Sequence, residues 1–336
     1  MLKSFRFLLS GLGALLCLAV LAGPAPAGTA GRFGTVRENG VWWLTLPGGP
    51  RFFSMGVNAV NGGDKKTRDR GYYFENFYPD QAAWAADTQK RLYAWGFNTR
   101  GGWSDPTTAM ALPMVPEIDL GRNARLHWFD PFAPDALELT IAKARELTAP
   151  YRDNPAVIGY FTDNEVGWWN APLFKWYLGN EWASYAKRHV WRMIHDHYGG
   201  KWDRLLVDFV PAKGFDSFED LKKGGAELKL RPGGQGIALI NKVTAACARR
   251  YYELVYKALK TVDPKRLVMG DRLPLYYNQD AVLASRGFLD VLSTNYNVDT
   301  PDGWVAPYYF EGLAKLTDTP VLISEFFFAA NENRSG

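Results

Sequence analysis

The sequence predicts an α/β chain folded as a (β/α)8 (TIM) barrel, with an N-terminal β-hairpin, a long insertion between strands four and five, and no sequence left for strand eight. Three observations predict it. Short apolar stretches alternate with helical ones, which implies a parallel sheet covered by helices. The first such stretch is followed by Asn58-Ala59-Val60-Asn61-Gly62-Gly63, not by the glycine-rich phosphate turn of an open doubly wound sheet. Polar residues recur at the carboxyl ends of several stretches, where barrel enzymes build their sites.

Residues 1–27 have the layout of a secretory signal: Lys3 and Arg6, an apolar run over 8–21, then Ala25-Pro26-Ala27 for cleavage. The run is shorter than the roughly 20 residues a spanning helix needs. The mature chain is therefore expected to be secreted or periplasmic, with no membrane association after cleavage. Leu16 precedes Cys17 where a lipoprotein signal would carry a small residue, so lipidation is not expected.

Residues 28–50 read as the hairpin, with 33–37 and 41–46 flanking the turn Glu38-Asn39-Gly40. It is expected to close the bottom of the fold that follows. Residues 51–336 then form the barrel. The expected inner strands are 52–58, 96–100, 112–115, 157–161, 267–270, 291–296 and 321–325. Helices are expected over 81–95, 134–149, 173–198 and 239–259, the last stopped by Asp263-Pro264. About a hundred residues separate strands four and five, far more than one helix and two loops need. They are expected to form an insertion above or beside the barrel mouth. Eleven residues follow Glu325, too few for an eighth strand and its helices, so a barrel incomplete at the C-terminus is expected.

Composition narrows the function. The formal charge of +4 is small and spread along the chain, with no basic run that would track phosphates, so nucleic acid is not an expected partner. After signal cleavage only Cys247 remains, which excludes an intramolecular disulfide and a cysteine-rich zinc site. His195 and His197 lie two apart on a helix and point to different faces, so no metal is expected there. Ser54 and Ser324 lack a nucleophile-elbow setting, and nothing suggests a nucleotide or flavin. No cofactor is expected. Thirteen tryptophans stand out, several beside polar residues at strand ends where stacking surfaces would serve a ligand.

The chemistry concentrates at two strand ends. Val157-Ile158-Gly159-Tyr160-Phe161 is a buried strand by composition, and Asp163-Asn164-Glu165 follows it at once. Ile323-Ser324-Glu325-Phe326-Phe327-Phe328 sets a second acid among apolar residues, where an acid without a role or a partner is costly. Strands four and seven face each other across a barrel mouth, so Glu165 and Glu325 can converge on one sugar ring. Retaining glycoside hydrolysis needs two such carboxyl groups, about 5–5.5 Å apart, one giving a proton and one attacking. The bland alternatives are a solvated loop acid for Glu165 and an arginine-paired or helix-capping acid for Glu325. Asp163 is expected to serve a nearby backbone or basic group.

These residues resemble the clan A glycoside hydrolases, and most closely the β-agarase (glycoside hydrolase family 50-like) branch. The resemblance rests on Asp163-Asn164-Glu165 and Ile323-Ser324-Glu325-Phe326, and covers most of the mature chain. It includes Gly40-Val41-Trp42-Trp43-Leu44, Phe53-Ser54-Met55-Gly56-Val57-Asn58, Gly96-Phe97-Asn98-Thr99 and Gly102-Trp103-Ser104-Asp105. It implies a (β/α)8 enzyme with Glu165 as general acid/base, Glu325 as nucleophile and Asn164 as ligand of the sugar 2-hydroxyl. Tyr296 matches a tyrosine that hydrogen-bonds the nucleophile, and Arg100 is similar to an arginine of strand two. Asn58 is counted among the substrate ligands with them. Trp103, Trp168 and Trp169 are candidates to stack on sugar faces, against the plain alternative of core packing.

The expected function is a secreted retaining glycoside hydrolase that cleaves a β-linked polysaccharide or oligosaccharide, agarose or another galactan first, by double displacement. The alternatives are a non-catalytic carbohydrate-binding protein on a degenerate barrel and a transglycosylase.

Overall fold

The computed structural model describes residues 31–63, 73–107, 109–297 and 305–326. The expected signal sequence, residues 1–27, and the question of an eighth strand after residue 326 lie outside the described residues.

The chain opens with a three-stranded antiparallel meander, β1 (Gly34–Glu38), β2 (Val41–Thr45) and β3 (Arg51–Phe52). The expected first inner strand over 52–58 is divided. Phe52 belongs to the meander, and only β4 (Gly56–Val57) enters the parallel sheet. Asn98 causes the division. Its amide donates to Phe53 O (2.9 Å) and accepts from Met55 N (2.8 Å), so these backbone groups bond a side chain instead of a neighbouring strand.

Helix α1 (Gln81–Ala94) begins at Asp80, whose carboxylate accepts from Ala83 N at 2.8 Å. It leads to β5 (Thr99–Arg100), parallel to β4. The third expected strand is reduced to isolated bridges at Met114, to Arg100 on one side and Val157 on the other. Pro113 and Pro116 explain this, since each removes an N–H from the ladder. Met114 N and Val115 N still donate to Ala156 O and Arg100 O.

Short α2 (Leu120–Asn123) and α3 (Ala136–Thr148) follow, then β6 (Gly159–Tyr160). The region expected as an insertion contains α4 (Asn170–Gly179), α5 (Tyr185–His197), α6 (Trp202–Asp208), and the antiparallel pair β7 (Phe209–Pro211) and β8 (Leu228–Leu230). The single helix expected over 173–198 is two helices. Asn180 leaves helical geometry at ψ 167°, and the Ser184 hydroxyl starts the second by accepting from Lys187 N.

The long α7 (Gly236–Val262) returns the chain to β9 (Leu267–Val268), parallel to β6. Gly159 permits this pairing, because a Cβ there would collide with the backbone oxygen of Leu267. Then come α8 (Gln279–Ala284), β10 (Leu292–Asn295), α9 (Pro307–Thr317) and β11 (Val321–Glu325), which pairs parallel with β10. Val291 N donates to Val268 O and Leu273 bridges Thr294, joining β9 to β10. Asn58, just past β4, donates to Ser324 O of β11 at 3.0 Å. Among the described residues, seven parallel segments thus neighbour one another in chain order, and the Asn58 amide links the first to the seventh.

Phe33, Leu44 and Phe52 of the meander pack with Ile158, Leu267, Met269 and Val291 of the parallel segments. Arg37 in β1 pairs with Asp318, just before β11, at 3.0 Å. The meander therefore plugs the amino ends of the segments, and burying each such side chain contributes about 1.5–3 kcal/mol. Among the described residues, the meander leaves the carboxyl ends uncovered. The largest core cluster lies between the parallel segments, which give it Met114, Tyr160, Val268 and Leu292, and the helices, where α3, α4, α5 and α7 pack together.

Candidate active site

Glu165 follows β6 and Glu325 ends β11. Both reach the open end, and two residues tie them together. Asn295, at the end of β10, donates through Nδ2 to Glu165 Oε1 (2.9 Å) and to Asn164 Oδ1 (3.4 Å). Its Oδ1 accepts from Ser324 Oγ at 2.8 Å, one residue before Glu325. Arg272 follows β9 and donates through Nη2 to Glu325 Oε2 (2.9 Å) and to Ser324 O (3.2 Å). Its charge also acts on Glu117 and Glu165. Neither Asn295 nor Arg272 was anticipated as a site residue. The signal was available for Arg272, because Asp271-Arg272 stands as closely behind a buried strand as Asp163-Asn164-Glu165 does.

The Arg272 guanidinium is wholly buried. Trp103 covers it with its ring centre 4.2 Å away, and Phe161 lies on another side at 5.2 Å. Nη1 faces Glu117 Oε2 at 3.8 Å, beyond hydrogen-bond reach, and neither atom has another partner. Burial, reinforced by the charges of Asp163 and Asp119, pushes the Glu117 carboxyl up to about 8, while Arg272 pulls it down. Glu325 is one-third exposed, and its Oε1 accepts from Asn297 Nδ2 at 3.3 Å. The arginine pairing expected as the bland alternative for Glu325 thus exists, on a carboxylate that is still partly exposed.

Asp163 lies beneath. Its Oδ2 accepts from Gly121 N (2.7 Å) and Tyr251 hydroxyl (2.6 Å), and its Oδ1 from Arg122 N (2.9 Å). It fastens the start of α2 to the loop after β6, the backbone service expected of it. Complete burial raises its carboxyl to about 7, against the pull of these donors.

Glu165 is held in a left-handed conformation, φ 51°, and its N–H donates to Asp271 O at 2.9 Å. Trp103, Asp119, Trp128 and Arg272 are left-handed as well, so five of the nine such non-glycine residues among those described surround this cleft. Such backbone costs about 1–2 kcal/mol per residue and collects where side chains must be aimed. A cavity of about 460 Å³ opens beside Glu165, bordered also by Trp103, Asp119, Arg122, Trp128 and Asn164.

Four expected ligands are placed otherwise. Arg100 is fully buried, and its guanidinium donates to the carbonyls of Asp105, Thr107 and Met110, so it braces the loop after β5. Trp168 is 4% exposed, with Nε1 on Asp271 Oδ2 (3.1 Å) and Tyr252 hydroxyl (3.2 Å) and its ring against Tyr251, leaving no face for a sugar. The Tyr296 hydroxyl accepts from Ala306 N at 3.0 Å, and its ring packs on Tyr309 and Phe310. The donors to the Glu325 carboxylate among the described residues are Arg272 and Asn297. Asn58 joins β4 to β11 through its amide. Trp103, Asn164 and Trp169 remain exposed at the open end.

No protein-family model matches the chain. In sequence it is similar to Beta-agarase A of Vibrio sp. (strain JT0107), 24% identical over 374 residues that cover 88% of this chain and 37% of the relative. Beta-agarase B of the same strain is 23% identical over 285 residues, covering 78% of this chain and 29% of the relative. Among solved structures it is similar to an exo-beta-agarase, with TM-score 0.72, 19% identity and coverage of 93% of this chain and 55% of that one. The agarase AgWH50C gives TM-score 0.70, 21% identity and coverage of 92% and 54%. The chain spans about a third of the length of the curated relatives and about half that of the solved chains, and it shares the fold of the latter. The resemblance read from the sequence, to the family 50-like β-agarase branch, is thus met in both sequence and fold.

Proposed function

We propose that the chain carries the catalytic region of a secreted retaining glycoside hydrolase that cleaves a β-linked, agarose-like polysaccharide. The observation that carries this reading is the placement of both acids at one end of the parallel segments, where Asn295 bonds the Glu165 carboxylate and the Ser324 hydroxyl beside Glu325, and Arg272 bonds the Glu325 carboxylate. Those segments are read as seven strands of a (β/α)8 barrel, with residues 28–50 as its N-terminal plug. The agarases it resembles supply the substrate class.

Glu325, facing the Arg272 cation, is the nucleophile. Arg272 stays charged even when buried, and it holds one oxygen of the Glu325 carboxylate at 2.9 Å. The carboxylate attacks the anomeric carbon as the glycosidic C–O bond breaks, and Glu165 gives its proton to the leaving oxygen. Glu165 then takes a proton from water as that water's oxygen displaces Glu325 and releases the sugar. Asn295 fixes the orientation of the Glu165 carboxylate, which is otherwise exposed. Asn164, beside it, is available to a sugar hydroxyl.

Reducing-end release from a polysaccharide panel that includes agarose tests this reading. Release from agarose by the parent, lost in Glu165→Gln for substrates with poor leaving groups, supports it. Glu165→Gln activity equal to the parent's on such substrates contradicts the assignment.

A further inference from the structure

Three tryptophans form a ridge beside the cavity, with Trp128 in contact with both of the others. Trp128 borders the cavity with Glu165. The ring centres of Trp169 and Trp176 lie 6.3 and 6.4 Å from that of Trp128, inclined by 55° and 66°. Trp169 is 58% exposed and Trp176 52%. Exposed large apolar side chains scattered singly need no explanation, whereas a contiguous group marks a contact surface.

The ridge is also fixed. Trp128 Nε1 donates to Val166 O (3.2 Å), and Trp176 Nε1 donates to Trp128 O (2.8 Å). These two indoles have their N–H groups engaged within the ridge and offer a ligand only ring surface. Gly167, at φ 69°, lets the chain turn beneath Trp169, whose ring lies where a Cβ would press. Rings held this way lose little freedom when a ligand settles on them. Flat apolar faces without free donors suit the C–H face of a pyranose better than a partner seeking hydrogen bonds.

Position supplies the rest. The proton donor of a glycosidase stands beside the leaving oxygen, so sugars on the leaving-group side lie on its side of the cut. Glu165, Asn164 and Trp128 border the cavity, and Glu325 does not. The ridge continues from there onto α4. We infer that Trp128, Trp169 and Trp176 stack successive sugar rings on the leaving-group side of a β-linked polysaccharide. The inference rests on Glu165 being the proton donor. Several ring faces in a row favour a chain with several sugars beyond the cut over a short one.

The test uses Trp169→Ala and Trp176→Ala, singly and together, with KM measured on agarose and on agarotetraose. The double variant is expected to raise KM for agarose by roughly tenfold more than for agarotetraose, about 1.4 kcal/mol of lost stacking. Calorimetry of agarohexaose binding to Glu325→Ala, with and without the two tryptophan substitutions, reads the ridge apart from catalysis. There the expected result is binding that weakens by a similar factor. Equal KM changes on both substrates overturn the inference, as does unaltered agarohexaose affinity or no binding by Glu325→Ala. A parent that cleaves nothing but whose Glu325→Ala form binds agarohexaose through the ridge would overturn the hydrolase reading alone.

Discussion

Arg272 Nη2 meets Glu325 Oε2 at 2.9 Å from a guanidinium that no solvent reaches, although Arg272 follows β9 and Glu325 ends β11, 53 positions apart. An arginine held there cannot lose its partner without being left as a buried, unbalanced charge.

Replacing Arg272 should therefore be felt twice. Arg272→Met removes the charge beside Glu325 and leaves Glu117 without a cation. A loss of about 3–5 kcal/mol is expected when one member of a buried ion pair is deleted. In whatever fraction folds, kcat should fall by about a hundredfold while KM changes little. Arg272→Lys keeps the charge and should recover part of kcat. Urea unfolding and steady-state kinetics on both variants decide it, and equal kcat in Met and Lys forms would remove the electrostatic role.

Glu117 makes stability depend on pH. Its carboxyl stands at about 8 in the folded chain, against an ordinary 4.5, because it is buried. Between those values the folded state keeps a proton that the unfolded chain has released, so stability falls as pH rises through the window. Asp163 and Asp271, raised by burial to about 7 and about 6, act in the same direction at lower pH. Urea midpoints should decline from pH 5.5 to 8. The part of the decline above pH 7 should vanish in Glu117→Gln, and its persistence would assign it elsewhere.

Asn295 links the two acids. Asn295→Ala frees the Glu165 carboxylate and leaves the Ser324 hydroxyl without its acceptor. We expect kcat to fall about 10- to 100-fold, as for a catalytic acid that has lost its fixed geometry. Substrates with poor leaving groups should suffer most. A uniform loss on good and poor leaving groups would place the effect on Glu325 instead.

Trp168 should behave as a core residue. Trp168→Phe leaves Asp271 with one donor fewer and should destabilise the fold by about 1–3 kcal/mol. KM for polysaccharide should stay near the parent's. Trp103→Ala uncovers the Arg272 guanidinium and should alter kinetics instead. A large KM change in Trp168→Phe would return that residue to the substrate site.

Much of the fold was legible because the parallel segments are buried and β-branched or aromatic, and because turns and proline stops separate them. Residues 321–325 were bounded correctly because an apolar, partly β-branched run follows Pro320 and ends at Glu325, although the run is only partly buried. Glu165 and Glu325 were legible by their placement directly behind such segments. Residues 52–58 misled because the division depends on Asn98, distant in sequence and bonded through its side chain. Residues 112–115 misled because Pro113 and Pro116, which flank Met114 in the sequence, interrupt the ladder there. Arg100 and Arg272 illustrate the limit at the site. Both follow buried strands, and only the surrounding loops decide which guanidinium braces carbonyls and which meets a carboxylate. Trp168 and Trp169 are adjacent in sequence yet 4% and 58% exposed, a distinction that composition does not carry.

The central claim is that Glu325 is a nucleophile which bonds to the sugar. The most direct measurement is turnover of an activated aryl β-glycoside by Glu325→Ala with and without sodium azide, followed by identification of the product. Activity at least a thousandfold below the parent without azide, restored with azide as an inverted glycosyl azide, is the predicted result. Activity near the parent's, or restored activity yielding no glycosyl azide, would contradict the assignment.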